Sequence, residues 1–136
     1  MIAFLDASAL IYRMEGVEAL ATSVTAELAR IAKRHPGVRL AASRLTWLEC
    51  RVKPMKDNNG ALLAQYDAFF DRPDLIWVEL TRDVVELAAA IRARHGLRTP
   101  DALQAASCLQ LGQAHVMLTG DATFQRVAGL NVVLIQ

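Results

Sequence analysis

Two cysteines among 136 residues, Cys50 and Cys108, are too few and too far apart for a disulfide framework or a cysteine-built metal knot. No run reaches the ~18 consecutive apolar residues of a membrane span. The opening MIAFLDASALIYRM lacks the basic start and small-residue cleavage site of a secretion signal. Both thiols are therefore expected reduced and buried, in a cytoplasmic protein. There is no G-x-x-x-x-G-K-[ST] phosphate loop. His35, His95 and His115 each sit at an element end with no nucleophile beside them. Catalysis driven by a histidine–nucleophile pair is disfavoured. The chain also lacks repeats, low-complexity tracts and linkers, and its length suits one domain spanning residues 1–136.

What is present is apolar and patterned. Apolar residues make up 54% of the chain and mean hydropathy is +0.24. That excess points to a covered interface, such as a second copy or a bound partner. Short apolar runs at Ile2–Leu5, 38–42, 75–80, 115–118 and 132–135 read as strands. Between them, helical spacing predicts a helix after Asp6 and others over about 17–34, 43–52, 61–70 and 81–95, with one more from Thr99 to Gly112. Pro54 is expected to end the third, Gly96 to close the fifth and Thr99 to cap the sixth. Strands alternating with helices argue for a short parallel sheet covered on both faces. Trp47, Trp77, Phe69 and Phe70 are expected in core or interface, Trp47 in an interface.

In such a sheet, strand C-termini and helix N-termini share one edge. Asp6, Asp101 and Asp121 fall at strand ends or helix starts. Glu49 falls on the third helix. Taking Leu45, Leu48 and Val52 as that helix's buried stripe puts Glu49 at the stripe's edge. Each acid has a local explanation: capping for Asp6 and Asp121, the helix dipole for Asp101, and an ion pair with Lys53 for Glu49. Together they can converge. Two carboxylates ~5 Å apart repel by roughly 3 kcal/mol at an effective dielectric of about 20. A hard divalent cation is the usual relief, and it can sharpen a water nucleophile and neutralise a pentacovalent phosphate. Ser8 and Thr119 stand two residues from Asp6 and Asp121, where they could hold an acid or a water, or simply cap.

Net charge is +1, but with four acids neutralised, ten would face 15 bases, 12 of them arginine. Guanidinium groups suit phosphates, though an ordinary solvated surface explains them too.

The segments LDASALI, RLTWLECR, TPDALQAASC and TGDATF follow in order across the chain. The sequence thereby resembles PIN-domain ribonucleases, specifically the VapC toxins of VapBC toxin–antitoxin pairs. The resemblance implies a PIN-like α/β/α fold. It implies Mg²⁺ or Mn²⁺ held by Asp6, Glu49, Asp101 and Asp121 as catalytic acids, with Ser8 and Thr119 supporting them. It also implies RNA phosphodiester hydrolysis by metal-activated water, homodimers, and silencing by a VapB-like antitoxin. Gly120 departs from the pattern, since many relatives carry Asn there. Arg13 and Arg51 are candidates for guiding the RNA backbone. Two other readings stay open. A non-catalytic module would be signalled by a missing acid, and none is missing. An aspartyl-phosphate domain would want an acid at Ser8 or a lysine after a late strand; the only lysines are Lys33, Lys53 and Lys56.

Overall fold

The computed structural model describes residues 1–112 and 114–136. Chain order is β1 (Ile2–Leu5), α1 (Ala7–Glu15), α2 (Glu18–Arg34), β2 (Arg39–Ser43), α3 (Arg44–Lys56), α4 (Gly60–Phe70), β3 (Ile76–Val78), α5 (Arg82–His95), α6 (Thr99–Leu109), β4 (His115–Thr119), a 3-10 helix (Ala122–Arg126) and β5 (Val132–Leu134). The five strands form one sheet in the order β3-β2-β1-β4-β5, and every pairing is parallel.

Helices cover both faces, so the strands read as apolar runs rather than alternating ones. On one side Ala3, Leu5, Leu10, Val24, Tyr66 and Phe70 pack between the sheet and α1, α2 and α4. On the other, Phe4, Val84, Ile91, Ala105, Met117 and Phe124 pack against α5, α6 and the 3-10 helix. Both cysteine thiols are free and buried, one in each core. Burial pushes the Cys108 thiol up to about 12, and the Cys50 thiol is raised as well. Among the described residues no helix is long and apolar enough to cross a membrane.

Local signals set most boundaries. Asp6, Ser43, Asn59 and Thr81 each cap a helix by accepting from a backbone N–H three residues on. Gly96 ends α5 in the left-handed region, at φ +69°.

Three expectations need correction. Pro54 does not stop α3, which runs on to Lys56 with Pro54 buried inside it. The lost donor sits in the last turn, where Asp57 and Asn59 still donate to Lys53 and Pro54 carbonyls. Helix α6 is capped by Arg98, not Thr99, and Arg98 makes no side-chain cap bond.

The third correction concerns which way α3 faces. Its buried residues are Thr46, Cys50 and Pro54. Leu45 is half-buried, while Leu48 and Val52 are 52% and 54% exposed and continue into Met55 at 58%. The apolar row looks outward. Trp47 stands partly exposed beside it, with the Arg51 guanidinium over its ring at 4.8 Å.

Candidate active site

The strands β1, β2 and β4 are adjacent, and their C-terminal ends deliver Asp6, Ser43 and Thr119 to one edge. This is the switch point of an open parallel sheet, where connections leave for opposite faces and a crevice opens. Asp6 ends β1 and caps α1 through its Oδ1, which accepts from Ala9 N at 3.0 Å. The Ser8 hydroxyl donates to the same oxygen at 2.7 Å, and the Thr119 hydroxyl donates to Oδ2 at 2.5 Å. Ser8 Oγ accepts from Gly120 N at 2.9 Å, and Thr119 Oγ1 accepts from Asp121 N at 3.1 Å. A lattice of short bonds therefore ties the β1–α1 corner to the turn after β4.

Asp121 caps the 3-10 helix, its Oδ1 accepting from Thr123 N and Thr123 Oγ1 at 2.9 and 2.8 Å. Asp101 lies in the first turn of α6, where the helix dipole favours an anion. The Arg98 Nε donates to its Oδ2 at 3.3 Å. Glu49 reaches in from α3, its Oε1 accepting from Gln104 Nε2 at 3.2 Å.

These groups share one cavity of about 170 Å³, lined by Asp6, Ser8, Glu49, Asp101, Gln104 and Asp121, with Arg98 also in the wall. A larger hollow of about 630 Å³ lies by β3, lined by Ile76, Val78 and Val84 with Glu79 as its acid. It gathers no set of carboxylates, and size alone is not chemistry.

Electrostatics record the crowding. Burial, opposed by the Thr119, Ser8 and Ala9 bonds, pushes the Asp6 carboxyl above its ordinary value, and the Asp121 charge adds to the rise. Glu49 is also raised, chiefly by burial and then by Asp6 and Asp101, while Gln104 and Arg98 pull it back.

Oxygen donors of this kind suit a hard divalent ion. Among the described residues, no three of His, Cys, Asp or Glu already stand close enough to share one ion. An ion at this spacing would take one or two carboxylates directly and complete its shell with water. The cavity has room for such waters, each occupying roughly 30 Å³.

The two other arginines singled out in the sequence lie elsewhere. Arg51 is paired with Asp67 and stacked on Trp47. Arg13 lines a separate hollow with Leu10, Leu28 and Phe69. Gln104 and Arg98 were not singled out. The signal for Gln104 was a lone amide among the alanines of a buried helix face. For Arg98 it was a cation where a helix begins.

The PIN domain family model matches residues 3–130. The chain belongs to the PIN domain family. A search of curated proteins finds no match. Among solved structures, this PIN domain is similar to VapBC2 from Rickettsia felis bound to a DNA fragment from its promoter, with 16% identity over 100% of both chains and a TM-score of 0.78. It is similar to a toxin–antitoxin complex from Klebsiella pneumoniae, with 21% identity over 98% of each chain and a TM-score of 0.72. A member of the VapBC family of toxin–antitoxin systems from Mycobacterium tuberculosis gives 21% identity, 99% and 98% coverage and a TM-score of 0.61. The shared feature is the fold.

Proposed function

We propose that this PIN domain is a Mg²⁺- or Mn²⁺-dependent endoribonuclease of the VapC type, the toxin of a type II toxin–antitoxin pair. One observation carries the reading: carboxylates from residues 6, 49, 101 and 121 line a single cavity at the carboxyl edge of the sheet. The similar folds of toxin–antitoxin structures support it.

Asp6, Glu49, Asp101 and Asp121 would hold one or two divalent ions. A bound ion would lower the pKa of water and neutralise charge building at phosphorus. The protein's own part is to hold the acids in place and aim them. Ser8 and Thr119 fix both oxygens of Asp6, and Gln104 fixes Glu49. With water attacking in line, hydrolysis leaves a 5′-phosphate and a 3′-hydroxyl. The outward row of Leu48, Val52 and Met55 supports a protein partner, in keeping with an antitoxin and a second copy of the chain.

The test is Asp101→Asn, assayed on RNA with Mn²⁺ and matched by circular dichroism. Cleavage should fall by at least about a hundredfold with the fold intact. Full cleavage by the variant, or cleavage by the wild type in EDTA, would defeat the assignment.

A further inference from the structure

Helix α6 starts on the wrong residue for a helix. Its N-cap is Arg98, which makes no side-chain cap bond, although Thr99, a good capping residue, comes next. An arginine there also sets a positive charge against the positive end of the helix dipole. Its ion pair with Asp101 joins an 80% exposed guanidinium to a carboxylate that is 18% exposed, at the edge of the carboxylate cavity. Capping and dipole preferences thus argue against Arg98, and such violations gather at functional sites.

Its surroundings say what it does. The guanidinium is 80% exposed, so it can move, yet it stands in the wall of the carboxylate cavity. It pairs with Asp101, and its charge also acts on Glu49. A divalent ion drawn to those two acids meets a resident cation of the same sign. A phosphate arriving at the cavity meets a guanidinium on its rim, with a geometry suited to two phosphate oxygens.

We propose that Arg98 is a substrate-positioning residue that works by exchange: it pairs with Asp101 until a divalent ion takes that carboxylate, and then turns to the RNA phosphate. The inference rests on the nuclease reading above. It makes metal and RNA affinities move in opposite directions when Arg98 is removed.

The experiment compares wild type with Arg98→Ser. Mn²⁺ binding is measured without RNA by calorimetry or electron paramagnetic resonance. KM and kcat for RNA cleavage are measured at saturating Mn²⁺. Thermal unfolding is followed in EDTA. The serine variant should bind Mn²⁺ roughly 3–10-fold more tightly, since a like charge is gone. KM for RNA should rise several-fold, the loss falling mainly on KM, and the salt dependence of RNA binding should lose about 0.7 of a unit of slope. The variant should melt no lower than wild type, because serine caps a helix and arginine does not. Unchanged or weaker Mn²⁺ binding overturns the proposal, as does an unchanged KM. If wild type binds Mn²⁺ and cuts RNA while the variant matches it, Arg98 alone is misread. If wild type does neither, the nuclease reading falls as well.

Discussion

At Asp6 burial costs the folded state stability at neutral pH. The carboxyl is 4% exposed and its pKa is raised. A raised folded value means the folded protein takes up a proton more readily than the unfolded chain. The stability this gives is complete below the unfolded value and is lost as pH rises through the folded one. Glu49 acts in the same direction, but water screens it more because it is only half-buried. Asparagine caps a helix as well as aspartate does. In metal-free buffer at pH 7, Asp6→Asn should therefore melt a few degrees above wild type, and the gap should close as pH falls below the carboxylate range. Thermal melts from pH 3 to pH 8 check this; a less stable variant at neutral pH would contradict it. Gly120 poses a different question. A Cβ added there would run into the Tyr12 ring and hydroxyl. The asparagine that the resemblance leads one to expect there cannot be accommodated unless Tyr12 moves. Gly120→Ala should cost about 1–3 kcal/mol in chemical denaturation. Most of that cost should vanish in a Tyr12→Ala background, giving a clear coupling in the double-mutant cycle.

Helix α6 joins two elements through one amide. Gln104 is buried and donates to Thr46 Oγ1 at 2.9 Å and to Glu49, while Ser43 Oγ donates to its Oε1 at 2.8 Å. Gln104→Leu leaves Ser43 and Thr46 short of a partner and frees Glu49. It should lose about 1–3 kcal/mol of stability and weaken Mn²⁺ binding; denaturation and calorimetry report each separately. Nothing in single-sequence periodicity shows where that amide ends up, because its partners lie about 60 residues away. The order of elements was readable because punctuation is local: Asp6, Ser43, Thr81 and Gly96 act through their own backbone neighbours. The meeting of Asp6 and Asp121 was readable because a parallel sheet sends its strand ends to one edge, whereas Asp101 and Glu49 arrive on α6 and α3. The facing of α3 was not. Apolar spacing marks a stripe but not what covers it, and here small Thr46, Cys50 and Pro54 take the inside while Leu48, Val52 and Met55 stay out. Arg51 shows the same limit, since its partners Asp67 and Trp47 were set by that rotation.

Across the whole molecule, both cysteines are buried with thiols pushed up, so neither is poised to react. Labelling by a thiol reagent at pH 8 should be slow in the native protein and complete in denaturant; rapid native labelling would show that the cores are not as described. The fold also has a consequence for synthesis. β1, the first strand made, sits mid-sheet, and one of its two partners is β4, which ends at residue 119. Asp6 waits for the Thr119 hydroxyl across a separation of 113 residues. Domains fold as units while the chain emerges from the ribosome. A polypeptide that stops before β4 therefore lacks the Thr119 hydroxyl and the turn that carries Asp121, and it cannot assemble the carboxylate cavity.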